Sequence, residues 1–143
     1  MTLSDDQKQV VQQTWAQVVP IADTAAGLFY DRLFELDPSL QRLFKATDMQ
    51  EQRRKLMQTL GVAVNGINRL DHLVPVLEEL GRRHVQYGVK EQSYAAVGEA
   101  LLWTLERGLG EAFTPFARDA WAETYSLVSG VMRSAAYDAP TAQ

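Results

Sequence analysis

The chain has 143 residues, a formal charge of −4, a pI near 5.1 and no cysteine, a length that suits one domain (1–143) able to bury about two thirds of the surface its unfolded form exposes. The acidic balance argues against a nucleic-acid partner, leaving Arg53-Arg54-Lys55 and Arg82-Arg83 as local basic spots, and the missing cysteines exclude disulfides, thiolate metal sites, thiol nucleophiles and thioether-linked cofactors. No apolar run is long enough to cross a bilayer, and Met1-Thr2-Leu3-Ser4-Asp5-Asp6 is acidic where a leader would be basic and then apolar, so a soluble cytoplasmic protein with no membrane partner is expected.

Helix signals recur along the chain and strand alternation is missing, which predicts an all-α fold. Ser4 with Gln7 forms a capping-box pattern ahead of Val10, Val11, Trp15, Val18 and Val19, until Pro20 interrupts. A second helix is expected over about 21–36, carrying Ala25, Leu28, Phe29, Leu33 and Phe34 inward, with Ala25-Ala26-Gly27 small enough for another helix to cross closely. Asp37-Pro38 caps and opens a short turn of helix ending near Phe44. Asp48 with Glu51 is a second box-like pair, opening a long helix on which Gln52, Leu56, Thr59, Leu60, Ala63 and Ile67 share a face and which frays at Gly66 and Asn68. Asp71 is expected to cap the next helix, and Gly88 to close it. A helix over about 91–109 then presents Tyr94, Val97, Leu101, Leu102 and Leu105 to one side before Gly110. The last starts at Thr114-Pro115 and turns Phe116, Ala120, Trp121, Leu127, Val128 and Met132 inward, with 138–143 as a frayed tail.

Leu73, Leu77, Leu80 and His84 recur at steps of four, three and four, so the histidine shares the inward face of the leucines. Such a histidine reads either as a satisfied core residue or as a metal ligand. Likewise Tyr30 reads as a core aromatic, Gln52 as a solvent-facing first-turn residue and Leu56 as packing. Trp15, Trp103 and Trp121 read as packing, His72 as exposed beside Asp71, and Met57 as one residue off the inward stripe.

The segments Leu28-Phe29-Tyr30-Asp31-Arg32-Leu33-Phe34, Asp37-Pro38, Leu43-Phe44, Gln52 with Leu56, Gly81-Arg82-Arg83-His84, Tyr87-Gly88-Val89, Tyr94 and Val97-Gly98-Glu99-Ala100-Leu101-Leu102 resemble, over nearly the whole chain, the globins. The match is to bacterial single-domain haemoglobins and the globin domain of flavohaemoglobins. Arg54-Lys55-Leu56-Met57-Gln58 and the 80–89 segment most resemble the Hell's Gate-type globins. The separation of Gln52 from His84 agrees with the same group.

This resemblance implies a globin fold of about seven to eight helices sandwiching a noncovalent b-type haem (iron protoporphyrin IX), with His84 as the proximal iron ligand. Its second ring nitrogen then needs an acceptor, most simply a carbonyl one turn earlier. Tyr94 matches the tyrosine of the flavohaemoglobin proximal push, while only Asp138, beside Pro140, stands in for its glutamate. On the far side the pattern puts Tyr30 and Gln52 over the open iron position and Leu56 above the ring. Phe44 is the aromatic on the haem edge, Val97 packs on the proximal side, Val89 is a further cofactor-binding residue, and Lys55 or Arg83 pairs with a propionate.

The implied guests are dioxygen, carbon monoxide and nitric oxide. Dioxygen held there carries negative charge on its outer atom, and a phenol hydroxyl and an amide NH2 are both donors to it. Each bond contributes on the order of 1–3 kcal/mol, roughly tenfold to a hundredfold in dissociation. Tight holding suits nitric oxide dioxygenation by Tyr30 and Gln52. The chain carries no dinucleotide fingerprint, so that activity would call on an external electron donor or reductase. The alternatives are an oxygen carrier, store or sensor without turnover, and a haem-free globin-like bundle, against which stands the retained His84. Because Gln52 occupies the place of a distal histidine, bis-histidine ligation is not expected. A monomer or a homodimer is expected.

Overall fold

The computed structural model describes residues 3–86 and 89–138. Six α-helices account for most of them, α1 (Asp5–Val18), α2 (Ala22–Leu36), α3 (Met49–Gly66), α4 (Leu70–Gln86), α5 (Ser93–Leu109) and α6 (Pro115–Arg133). Short 3-10 turns lie at Val19–Ile21, Pro38–Phe44 and Gly110–Ala112, a π turn at Ser134–Asp138 follows α6, and no strand occurs among the described residues. The expected short helix after Pro38 is thus a 3-10 segment, the seventh substantial element. No helix among the described residues is long and apolar enough to cross a membrane.

Local chemistry sets most boundaries. The Ser4 hydroxyl accepts from the Gln7 amide at 3.1 Å while the Gln7 side chain accepts from the Ser4 amide at 2.9 Å, a reciprocal box. Asp37 accepts from the Ser39 amide, Asp48 from that of Gln50 and Thr114 from that of Ala117. Glu51, expected to complete a box with Asp48, pairs instead with Arg54. Gly110 stops α5 at φ 56° and ψ −123°, a conformation open to glycine alone. Asp71 is not the cap of α4 but lies within its first turn. The carbonyl of Arg69 takes the amides of His72 and Leu73, so winding starts earlier than the sequence suggested. The expected stop at Gly88 falls outside the described residues, as do 139–143.

Three side chains expected inside are exposed. Val19 is 53% exposed because it sits in the turn at Pro20, where winding tightens and the stripe rotates off the core. Phe116 is 49% exposed because α6 buries Ala117, Ala120, Trp121 and Thr124 instead, one position round the helix. Thr59 is exposed where α3 borders the groove toward α4.

The core is divided. A larger cluster joins α1, α2, α3, α5 and α6 around Val11, Phe29, Ile67, Leu101 and Trp121, with the Trp121 indole N–H donating to the buried Thr14 hydroxyl at 2.8 Å. A smaller one gathers Leu73, Leu77, Tyr94 and Met132 between α4, α5 and α6. Helix α4 packs chiefly on α6 and the π turn, with a smaller contact to α3. The small run on α2 is met by a side chain as well as by helices: Ala26 is fully buried, and the Arg53 guanidinium of α3 lies over Gly27.

Candidate functional site

One half of the site is built on α2 and α3. Tyr30 is buried because α2 turns a wide apolar face, Ala25, Ala26, Phe29 and Leu33, toward the core. Its ring meets Phe29 edge-on at 5.1 Å, Phe44 edge-on at 5.6 Å and Phe34 at 5.9 Å between centroids, so three aromatics hold it in place. Gln52, in the first turn of α3, donates from Nε2 to the Tyr30 hydroxyl oxygen at 3.1 Å. That bond occupies the oxygen as an acceptor and leaves the hydroxyl proton for another acceptor. Burial pushes the Tyr30 pKa up, opposed in part by the Gln52 bond, so the phenol remains a donor at neutral pH. Leu56, one turn further along α3, is half-buried against the larger cluster, as are Phe44 and Val97.

The other half is on α4. Nδ1 of His84 lies 2.6 Å from the carbonyl oxygen of Leu80, one turn earlier, as expected from sequence. A carbonyl only accepts, so Nδ1 carries a hydrogen toward it, and the tautomer this bond selects has its lone pair on Nε2. The amide of Val89 donates to the His84 carbonyl at 2.9 Å, which fixes the chain beyond α4 relative to the histidine. Tyr94 is buried in the smaller cluster, against which Leu80 and Val89 pack. The Tyr125 hydroxyl donates to the Tyr94 carbonyl at 2.5 Å, through a gap kept by Gly98, where a Cβ would stand 2.7 Å from the Tyr125 ring. Burial pushes the Tyr125 pKa far up. Sequence reasoning missed this tyrosine, for which the only signal was a glycine inside the apolar helix 91–109. The side chain of Asp138, named for the proximal side, falls outside the described residues.

Of the expected lining residues, Tyr30, Phe44 and Leu56 belong to or pack against the larger cluster, and Val97, expected with the proximal residues, packs there too; Tyr94 and Val89 go with the smaller cluster, and His84 is on α4, which contributes to it. Between α3 and α4 lies a cavity of about 430 Å³ lined by Thr59, Val62, Pro75, Val76, Glu79, Leu80 and Arg83. Arg83 is exposed at its rim and paired with Glu79 at 3.4 Å, and Lys55 is exposed on α3. His72 is exposed beside Asp71 at 3.7 Å. No group of three or more His, Asp or Glu that could cage a bare ion occurs among the described residues. Neither His84 nor the Tyr30 and Gln52 pair lines the cavity between α3 and α4; the single imidazole of His84 and the half-buried Leu56, Phe44 and Val97 are residue types that would suit a metal already carried by an apolar group.

The globin family profile matches residues 27–132. Neuroglobin of Tetraodon nigroviridis is 35% identical over 91% of this chain and 90% of its own length, and neuroglobin of Danio rerio 34% over the same shares. A flavohemoprotein of Bacillus subtilis is 30% identical over 85% of this chain, which spans 31% of that protein. A hexacoordinated heme protein from an anhydrobiotic tardigrade, solved at pH 4, superposes with a TM-score of 0.84 at 20% identity, over 93% of this chain and 94% of that one, and shares the fold.

Proposed function

This chain belongs to the globin family, and from that premise we propose that it is a haem protein that binds diatomic gases, with His84 as the iron ligand and Tyr30 and Gln52 over the guest. Bound noncovalently as the b-type, the haem would supply an iron able to take up dioxygen, carbon monoxide or nitric oxide. The observation that supports the reading is the His84 to Leu80 bond, which orients the imidazole, beside the Gln52 to Tyr30 bond, which pairs the two candidate donors. Holding Nδ1 protonated directs the Nε2 lone pair to the metal and raises its basicity. Leu56, Phe44, Val97 and Val89 exclude water from the porphyrin faces, while Lys55 and Arg83 offer cations to its propionates.

Tyr30 donates its hydroxyl proton to a guest bearing negative charge, and Gln52 supports the phenol oxygen from behind while offering a second amide hydrogen. Slow release favours reaction over transport, and the finer reading is nitric oxide dioxygenation. In that reaction nitric oxide and dioxygen would combine to nitrate with one electron supplied by the bound cofactor, which an external reductant would have to restore.

Titration of apo-protein with hemin tests the binding. One equivalent is taken up with a sharp Soret band, ferrous protein binds carbon monoxide, and His84→Gly loses the five-coordinate ferrous spectrum unless imidazole is added. Uptake unaffected by His84→Gly rejects the ligand assignment. Mixing the oxygenated protein with nitric oxide yields one equivalent each of nitrate and ferric protein. Fast, reversible oxygen release without nitrate identifies a carrier, store or sensor instead.

A further inference from the structure

The helix that carries His84 touches its neighbour backbone to backbone three residues before the histidine. At Gly81, which is buried, a Cβ would stand 2.8 Å from both the Cα and the carbonyl carbon of Met132 on α6, and closer still to the carbonyl oxygen. Elsewhere the described glycines of α3, α4, α5 and α6 that have neighbours within reach face side-chain atoms, which can move. Here the obstacle is main chain in the last turn of α6, and the turn beyond it changes to π winding at Ser134–Asp138. The same α4 turn supplies the Leu80 carbonyl that takes the Nδ1 proton of His84.

We infer that Gly81 is a positioning residue for the proximal ligand: its seam with the Met132 backbone sets how far α4, and with it the His84 imidazole, stands from the iron. The inference rests on His84 being that ligand. The seam is hard-sphere contact between two main chains, so no rotamer change can absorb a side chain at position 81. Unbonded carbons settle at roughly 3.5–4.0 Å, so an added methyl has to part the helices by on the order of 1 Å. One side of α4 is closed by α6 and the π turn. Pressed from that side, the helix yields away from α6 and carries the imidazole with it. The same turn carries the Leu80 carbonyl that holds Nδ1, so disturbing it is expected to weaken the hold on the metal by on the order of the tenfold to hundredfold that losing such a partner costs.

The test compares Gly81→Ala with Trp121→Phe, a remote destabiliser that loses the Thr14 bond, and with Gly130→Ala, whose Cβ would meet nothing within 4 Å. Each is read in the haem-loaded protein by the iron–imidazole stretch of the ferrous state and by haem loss to an apo-myoglobin acceptor, and as apo-protein by far-ultraviolet dichroism and melting. Gly81→Ala is expected to shift the stretch and to speed haem loss on the order of tenfold or more, while Trp121→Phe lowers the melting temperature with the stretch unmoved and Gly130→Ala is silent. In His84→Gly supplied with free imidazole the ligand is untethered from α4, and adding Gly81→Ala is expected to leave the stretch unchanged. Equal stretch and haem-loss values in Gly81→Ala and Trp121→Phe overturn the inference. Should apo Gly81→Ala not fold, it is refolded in the presence of hemin and the stretch is read there: an unmoved stretch overturns the inference and a shifted one supports it. Failure of His84→Gly to abolish the native stretch is a different result, and rejects the ligand assignment itself.

Discussion

Replacing Tyr30 by phenylalanine removes one hydroxyl from a buried site whose ring is already held by Phe29, Phe34 and Phe44, so the shape of the wall changes little. What is lost is a donor to a guest carrying negative charge, a bond of about 1.5–3 kcal/mol, which is roughly a tenfold to hundredfold faster oxygen release at 1.4 kcal/mol per factor of ten. Gln52→Leu removes the 3.1 Å bond to the same hydroxyl. If Gln52 works mainly by orienting that hydroxyl, its removal in the Tyr30→Phe background adds little. The double-mutant cycle then shows a coupling on the order of 1 kcal/mol rather than additivity. Stopped-flow displacement of oxygen by excess carbon monoxide measures all four rates. A Tyr30→Phe rate within about threefold of the parent, below 1 kcal/mol, refutes the reasoning, because the phenol proton would then not reach the guest.

Thr14→Val leaves the Trp121 indole N–H buried with no acceptor and is expected to cost about 1–3 kcal/mol in urea unfolding; a loss within experimental error would mean that water replaces the hydroxyl. Gly110→Ala places a Cβ at φ 56° and ψ −123° and is expected to cost about 1–3 kcal/mol, read as a lower urea midpoint with an unchanged m-value. Tyr30 and Tyr125 both have pKa values raised by burial. The native state thus holds these protons more tightly than the unfolded chain, and the corresponding stability is intact below the unfolded value near 10.0 and lost as pH rises through the folded values. Phenolate absorbance should show part of the five tyrosines ionising only as the protein unfolds in alkali, and full ionisation of a folded protein near the ordinary tyrosine pKa contradicts the burial.

The amino-acid order alone determined whatever depends on neighbours within about a turn of helix. The Ser4 box, the Asp37, Asp48 and Thr114 caps, the stop at Gly110 and the bond from His84 to the carbonyl four residues back all follow from side chains reaching their own local backbone. Two of the three misplaced inward residues, Val19 and Phe116, lie at helix ends, where winding changes and the period loses its meaning, while Thr59 lies within α3 beside the groove toward α4. The tertiary structure decided what lies between elements distant along the chain. It joined Gln52 to Tyr30 across 22 residues and Trp121 to Thr14 across 107, set the Tyr125 hydroxyl on the Tyr94 carbonyl, and pressed the turn at Gly81 onto the Met132 main chain. Periodicity reports which face of a helix is buried and carries no record of what that face meets, because the partner is chosen by the packing of whole helices against one another.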